Sequence, residues 1–363
     1  MSDSVLFQTS GSTGAPHLVA ISQAALDWSA AATHAYLGGP GRWVLAVPPA
    51  HVAGTQVLNR ARLARSAGIP SPLVSAGRFS VPELVSALQT VFSLPPAPVY
   101  ISLVPTELFT IFNSPDELRL PALDLLARCS AILVGGAAFD PSLRDDALAH
   151  GLPIVTTYGM TETSGGCVYD GIPLPGVSVR LHLPDTDGIG IIELSGPMLA
   201  DGYLLSVEEP PRGVSKPQDW STFYTENGTR WFRTSDLGRF LPDGKLEVIG
   251  RADDVIVTGG LNIHPHLVED AVSIAWHTLT GREAQVAVTG QPHPKWGQEI
   301  VAIIEHPAPL PDTQVSDLKA KVRELIGPIA TPKQIITTPD LPKLPTGKKD
   351  RKSLAKLLTL NRS

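Results

Sequence analysis

The chain has 363 residues, 43% of them hydrophobic and 18% charged, with a formal net charge of −6. That balance supplies a packed core, and the scattered Lys and Arg residues exclude the basic footprint of a nucleic-acid binder. Two cysteines, Cys129 and Cys167, exclude a disulfide scaffold and read as reduced thiols of a cytoplasmic protein; no run of about 18 uncharged apolar residues offers a membrane span, and Met1-Ser2-Asp3-Ser4 lacks the pattern of a secretory signal.

Val5-Leu6-Phe7 reads as a strand running into a Gly/Ser/Thr loop. Residues 22–37 read as a helix with Ser22 as N-cap and Leu26, Ala30, Thr33 and Leu37 on one face. Residues 43–47 form a strand, and Ser80-Val81-Pro82-Glu83 is a capping box opening a helix that runs to Phe92. Residues 99–104, 131–134 and 154–157 are short apolar runs of the buried-strand type. Strands alternating with helices argue for a parallel sheet with crossover helices.

After Gly171 the pattern changes. Residues 177–181 and 190–194 alternate like half-exposed strands, with Asp185-Thr186-Asp187-Gly188 as the turn between them. The polar, Pro/Gly-rich stretch 210–228 is expected to be a long surface loop. Residues 231–249 follow as a small strand cluster around a tight turn at Pro242-Asp243-Gly244. From Asp253 onward the order is a short strand, a helix at 265–279, strands at 285–289 and 299–305, a helix at 315–326, a strand at 334–337 and a final short helix. The expected fold class is α/β. A large N-terminal domain, residues 1–252, combines mixed and parallel sheets with packed helices and a β-rich subdomain over about 172–250. A small α+β domain occupies 253–363.

The strongest local motif is Thr9-Ser10-Gly11-Ser12-Thr13-Gly14, directly after a strand. Glycines let the backbone approach an anion, successive amides in a tight turn form an anion-binding nest, and the hydroxyls add donors. No Gly-Lys-Ser/Thr follows, so it is not a Walker A loop, and taken alone it fits a flexible turn equally well. Tyr158-Gly159-Met160-Thr161-Glu162-Thr163 follows another buried strand. There a tyrosine can stack on a base, a threonine can bind phosphate and a glutamate can hold Mg²⁺, a hard cation. Trp231-Phe232-Arg233-Thr234-Ser235-Asp236-Leu237-Gly238 places an acid where it can accept both ribose hydroxyls. Gly250-Arg251-Ala252-Asp253-Asp254 and Gly259-Gly260-Leu261-Asn262-Ile263 come next. Pro345-Thr346-Gly347-Lys348 then puts a lysine on a glycine-containing loop.

In this order the motifs resemble the adenylate-forming superfamily of acyl-CoA synthetases, adenylation domains and luciferases, from Phe7 to Arg351. The resemblance implies that Thr9, Ser10, Gly11, Ser12, Thr13 and Gly14 wrap the phosphates of ATP. Gly135, Gly136 and Ala137 border the adenine, and Tyr158 stacks on it beside Gly159. Asp236 and Arg251 hold the ribose. Thr161 binds phosphate, Glu162 holds Mg²⁺ and Lys348 bridges the acyl carboxylate and the α-phosphate; these three carry the catalysis. His51, in Pro49-Ala50-His51-Val52-Ala53-Gly54, matches a position near the acyl pocket, which Gly54, Val134 and Gly159 also line. Asp253 matches a hinge about which a mobile C-terminal domain turns between half-reactions. That turn withdraws Lys348 and brings Gly259 and Gly260 to a coenzyme A channel.

The implied reaction is acid–thiol ligation. A carboxylate attacks the α-phosphorus of ATP, pyrophosphate leaves, and the thiol of coenzyme A takes the acyl group. The implied partners are ATP, Mg²⁺, coenzyme A and a small carboxylic acid, with no nucleic acid and no membrane span. A homodimer is one option for the oligomeric state. Two features depart from the usual pattern: His17 stands where a lysine commonly follows Pro16, and the phosphate loop begins at Thr9. Met1 and the strand at Val5 are read as the natural start of a short member. The length and the 225–238 segment most resemble the o-succinylbenzoate–CoA ligases of menaquinone biosynthesis, so o-succinylbenzoate is the acid expected. Two readings compete with this one. The first is a stand-alone adenylation enzyme that loads a carrier protein, or another acyl-CoA synthetase. The second, of another class, is a non-catalytic AMP/ATP-binding sensor.

Overall fold

The computed structural model describes residues 4–9, 17–69, 74–75, 79–204, 222–343, 349–350 and 353–354, with positions 9, 17, 74 and 75 described by their backbone alone. The chain divides into two compact units, Met1–Gly136 with Ala147–Glu247, and Ala137–Asp146 with Val248–Ser363.

The elements of the first stretch are β1 (Ser4–Thr9), β2 (His17–Ser22), α1 (Gln23–Tyr36), β3 (Arg42–Leu45), α2 (Val52–Ser66), β4 (Val74–Ser75), α3 (Val81–Phe92), β5 (Val99–Leu103), α4 (Pro105–Phe112), α5 (Asp116–Ala127), β6 (Ala131–Gly135) and α6 (Pro141–Ala149). Then come β7 (Ile154–Met160), a 3₁₀ turn at Thr161–Thr163, β8 (Gly165–Tyr169), β9 (Ile172–Pro173), β10 (Ser178–His182), β11 (Gly190–Ser195), β12 (Gly202–Leu204), β13 (Thr222–Glu226), β14 (Thr229–Phe240) and β15 (Leu246–Arg251).

The largest sheet has the order β4-β3-β5-β6-β7-β8-β9. The pairs from β4 through β7 are parallel, and β8 and β9 run antiparallel at one edge. Every residue of β3 and β5 is buried. Strands covered by helices on both faces need apolar side chains at successive positions, which is why they read as continuous hydrophobic runs. Trp43, Tyr100, Leu133, Val57 and Tyr169 meet in one core cluster. Trp43 is fully buried and its ring lies 5.2 Å from that of Tyr100. Its Nε1–H donates to His34 Nε2 at 3.0 Å, so the indole carries no unpaired donor into the core. Truncating such a side chain to Ala costs about 3–5 kcal/mol.

The helix starts follow their local chemistry. Ser22 Oγ accepts from the Ala25 N–H at 3.2 Å and caps α1; Leu26, Ala30 and Thr33 of the expected face are buried. Ser80 Oγ likewise accepts from the Glu83 N–H at 3.3 Å at the start of α3. A second sheet has the order β10-β11-β14-β13, with β15 paired to β14, and a third is β1-β2-β12. One expectation needs correction. Part of the loop anticipated over 210–228 is a strand, because Phe223 pairs with Phe232 and Tyr224 with Trp231 in the β13–β14 hairpin. Cross-strand aromatic pairs of this kind stabilise a ladder that composition alone hides. Residues 210–221 of that loop lie outside the described residues.

The second unit contains β16 (Ile256–Thr258), β17 (Leu261–Ile263), α7 (Pro265–Thr280), β18 (Val286–His293), β19 (Gly297–Glu305), α8 (Asp312–Ala330) and β20 (Gln334–Thr338). Its sheet has the order β17-β16-β19-β18, with β20 parallel to β19. Val268, Val272 and Trp276 of α7 and Leu318 and Val322 of α8 pack on Val288, Ile300 and Ile304. The other face of the sheet holds Ala287, Val301, Ile303, Leu341 and Leu354. The helix expected to end at 326 does so: Gly327, with φ of 80° and ψ of 171°, interrupts α8, and a short helical piece opened by Pro328 follows to Ala330. The α/β class expected from the sequence is the class observed.

Candidate active site

Parallel sheets place ligands in the crevice outside the carboxyl ends of their strands. β3, β5, β6 and β7 are neighbours. Their carboxyl ends lead, in order, toward His51 at the N-cap of α2, to Val104, to Gly135-Gly136, and to the Tyr158–Glu162 segment. Sheet order thus gathers at one edge His51, Gly54, Val134, Gly135, Gly136, Tyr158, Gly159, Thr161 and Glu162, which the sequence suggested separately. Ala137 falls in the second unit.

Two glycines here are fixed by close backbone approach. A Cβ on Gly159 would lie 2.1 Å from the Gly165 carbonyl oxygen, and one on Gly54 would lie 2.2 Å from that of Pro48. The first lets β7 and β8 close around the bulge between Tyr158 and Gly159; the second lets α2 start against the 48–49 turn. Val134 is buried within β6.

The turn after β7 is held from several sides. The Met160 N–H donates to Thr163 Oγ1 at 2.9 Å, and Ser164 takes the left-handed conformation with φ of 53°. Ser164 Oγ donates to the Met198 carbonyl at 2.7 Å, and its own carbonyl accepts from Gln56 Nε2 at 2.8 Å. The Ala200 N–H donates to the Glu162 carbonyl at 2.8 Å. Above this anchored backbone, Glu162 Oε1 accepts from Tyr203 O–H at 2.8 Å. The carboxylate is therefore oriented by a neutral hydroxyl donor. Carboxylate oxygens on a fixed turn suit a hard divalent cation.

Tyr158 O–H donates to Asp236 Oδ2 at 2.8 Å, joining the end of β7 to β14. Burial, and after it the Asp236 charge, push the Tyr158 phenol well above its ordinary range, so it stays a donor. The Asp236 N–H in turn donates to Thr234 Oγ1 at 3.0 Å, and that hydroxyl donates to the Ile192 carbonyl at 2.9 Å. β14 is braced further by the buried Glu193, which accepts from Arg180 Nε at 2.7 Å and Arg233 Nε at 2.6 Å.

In the second unit, the Arg251 guanidinium clasps Asp253 through two hydrogen bonds, Nε to Oδ1 at 2.8 Å and Nη2 to Oδ2 at 2.9 Å. The residue expected at the ribose and the residue expected at the hinge are thus bound to each other. Gly259 and Gly260, with φ of 58° and 81°, form the turn between β16 and β17. Ser10, Gly11, Ser12, Thr13, Gly14 and Lys348 lie outside the described residues, as do the side chains of Thr9 and His17. The backbones of Thr9 and His17 pair across β1 and β2, which fixes the two ends of the connection.

Residues 4–204 match the model of the AMP-binding enzyme family, and residues 282–348 match that of its C-terminal domain. The chain belongs to the AMP-binding enzyme family. It is 38% identical over 351 residues to a Mycobacterium tuberculosis protein named probable 2-succinylbenzoate–CoA ligase, covering 96% of this chain and 82% of that relative. A Lactococcus lactis 2-succinylbenzoate–CoA ligase is 28% identical over 365 residues, covering 96% of this chain and 70% of the relative. Among solved structures, the o-succinylbenzoate CoA synthetase of Bacillus subtilis, in complex with its acyl-adenylate intermediate, superposes with a TM-score of 0.74 at 25% identity. That match covers 96% of this chain and 68% of the other.

For a member of the AMP-binding enzyme family, three side chains at this site are not marked by the sequence. Tyr203 lies on β12, a strand of three residues, Thr234 is a single hydroxyl inside the Asp236 motif, and Ser164 follows the Thr161-Glu162-Thr163 string. None of the three has a distinctive local signal, and Ser164 takes the left-handed backbone although Gly, Asn and Asp are the residues that favour it.

Proposed function

We propose that this chain is an AMP-forming acid–thiol ligase that converts o-succinylbenzoate to its acyl-adenylate and then to the coenzyme A thioester. The observation that carries the reading is the 38% identity, sustained over 96% of the chain, with a relative named for that reaction. The paired side chains of the site support it.

Adenylation brings a carboxylate to a polyphosphate, so positioning and charge neutralisation are what the protein must supply. In this reading the Tyr158 ring lies against adenine while its hydroxyl steadies Asp236, whose carboxylate accepts the ribose hydroxyls. Glu162, aimed by Tyr203, would hold Mg²⁺; its oxygen donors fit that ion. Bound Mg²⁺ supplies counter-charge to the phosphates. Thr161 and the hydroxyls and amides of Thr9, Ser10, Gly11, Ser12, Thr13 and Gly14 donate to phosphate oxygens. Lys348 neutralises the acyl carboxylate and the α-phosphate as they meet. His51 and Gly54, with Val134 and Gly159, border the acyl group. In the second step, rotation at Asp253 takes Lys348 away and lets Gly259 and Gly260 line the path of the coenzyme A thiol. The domain boundary at 252/253 and a cytoplasmic location belong to the same proposal; among the described residues no helix is long and apolar enough to cross a membrane.

The test is o-succinylbenzoate-dependent exchange of labelled pyrophosphate into ATP, followed by thioester formation with coenzyme A. Exchange with o-succinylbenzoate but thioester only on a carrier protein would change the acceptor. Exchange with other acids alone would change the substrate. AMP binding with no exchange for any acid would leave a nucleotide sensor.

A further inference from the structure

The turn that presents Thr161 and Glu162 ends in a strained residue. Ser164 has φ of 53° and ψ of 32°, a left-handed conformation that crowds the Cβ of an L-residue. A residue in that state persists only where its surroundings over-determine it. The Ser164 N–H donates to the Thr161 carbonyl at 3.0 Å, and its Oγ donates to the Met198 carbonyl at 2.7 Å. Its carbonyl takes two donors from helices outside the turn, Gln56 Nε2 of α2 at 2.8 Å and Ser29 Oγ of α1 at 3.2 Å. The same Gln56 nitrogen donates to the Leu26 carbonyl of α1 at 3.2 Å. One side chain thus ties two helices to the turn.

As a filler of the core, Gln56 is a poor choice. It is completely buried, and its Oε1 has no hydrogen-bond partner among the described residues. A buried acceptor left unpaired forfeits the hydration it has in the unfolded chain. An apolar side chain of the same length would carry no such penalty, and the Ser164 carbonyl would still have Ser29 as a donor. What the amide adds is therefore placement rather than stability. Glu162 and Ser164 are two residues apart on one tight turn, so a shift of the Ser164 carbonyl moves the backbone from which the Glu162 carboxylate starts.

We propose that Gln56 is a positioning residue of the adenylation step: its amide holds the Ser164 carbonyl, and with it the left-handed turn that aims Glu162 at Mg²⁺ and the phosphates of ATP. This inference rests on the role given to Glu162 above. Groups that orient a metal-binding carboxylate are worth about 10–100-fold in metal affinity.

The test uses the full chain with Gln56→Met, Ser29→Ala and, as the control, Glu162→Gln. Isothermal titration measures the affinity for MgATP and for AMP without metal, o-succinylbenzoate-dependent pyrophosphate exchange is followed over a range of Mg²⁺, and the melting temperature is read for each protein. Gln56→Met should weaken MgATP binding and raise the Mg²⁺ needed for half-maximal exchange by about tenfold. Affinity for AMP should move by less than about threefold, and the melting temperature should stay within about 4 °C of the wild type. Ser29→Ala removes the longer of the two donors and little volume; it should weaken MgATP by about threefold with AMP unchanged, and it decides the point if Gln56→Met does not fold. The titrations need no acid, so they hold whichever acid the enzyme takes. If Glu162→Gln binds MgATP as the wild type does, the role of Glu162 falls and that of Gln56 with it. If Glu162→Gln is defective while Gln56→Met and Ser29→Ala match the wild type, or lose MgATP and AMP together in step with melting temperature, Gln56 alone is overturned.

Discussion

Tyr158 and Asp236, 78 positions apart in the chain, meet through a 2.8 Å hydrogen bond that links the largest sheet to the sheet of β10, β11, β13, β14 and β15. The phenol is kept protonated by burial and by the Asp236 charge, so the contact orients the carboxylate at all physiological pH values. Tyr158→Phe keeps the ring but leaves Asp236 without this donor. A hydrogen bond to a charged group is worth about 1.5–3 kcal/mol, so kcat/KM for ATP should fall roughly tenfold or more. Asp236→Ala should cost at least an order of magnitude beyond that. Steady-state pyrophosphate release over a range of ATP concentrations checks both; an unchanged Tyr158→Phe would show that Asp236 is oriented by other contacts.

Tyr203 acts on Glu162 in the same manner across 41 positions. Groups that orient a metal-binding carboxylate are worth about 10–100-fold in metal affinity. Tyr203→Phe should raise the Mg²⁺ concentration for half-maximal adenylation about tenfold, with little loss of rate at saturating Mg²⁺. Glu162→Gln should abolish adenylation at any Mg²⁺ concentration. A Mg²⁺ titration of both variants is the measurement. Identical half-saturation in wild type and Tyr203→Phe would separate Glu162 from the cation.

These two pairs mark the limit of what the sequence disclosed. Tyr158, Glu162 and Asp236 are legible as residue types in their motifs, and β5 and β6 are legible because strands buried on both faces write apolar runs, whereas β7, half-buried along its length, shows only its Ile154-Val155 start. The pairings were not legible, since sheet order and register bring the partners together and neither is encoded locally. α2 is not legible for a different reason. Gln56, Asn59 and Arg60 are buried on it, and these polar residues interrupt the apolar periodicity by which a helix is read. Gln56 is spent on the Ser164 and Leu26 carbonyls, and Arg60 lies 4.9 Å from the Trp43 ring centroid. β13 was hidden by the Pro-rich residues before it, although Phe223 and Tyr224 are strong strand formers.

Glu107 offers a stability prediction away from the site. It is buried at the start of α4, where Oε2 accepts the Val104 N–H at 2.9 Å. Burial pushes its carboxyl up to about 7, against the smaller opposing effect of that hydrogen bond. Between pH 4.5 and 7 the folded protein therefore binds a proton that the unfolded chain has lost, and stability falls as pH rises through this window. Glu107→Gln keeps an acceptor for Val104 and removes the buried charge. It should stabilise the protein by about 1–3 kcal/mol at pH 8 and leave it nearly unchanged at pH 5. Denaturant midpoints at the two pH values test this, and equal shifts at both would contradict it.

His34 should impose the opposite slope. Its imidazole is buried beside Trp43, accepting the indole N–H, and burial, with the nearby Arg60 charge second, lowers it from 6.5 to about 4. The unfolded chain gains a proton on His34 as pH falls below 6.5, whereas the folded protein does so only near 4. Stability from this group is complete above 6.5 and is lost progressively as pH drops to 4, to a total of roughly 3 kcal/mol at most. His34→Gln removes the titration but also disturbs the acceptor for Trp43, so the variant should be less stable at pH 7. Its stability should nonetheless fall more slowly than that of the wild type between pH 6.5 and 4. Denaturant unfolding across that range compares the slopes, and an NMR titration reads the imidazole directly. An imidazole that titrates near 6.5, or parallel pH profiles for the two proteins, would mean that the ring is hydrated and that the Trp43 contact does not exclude the proton.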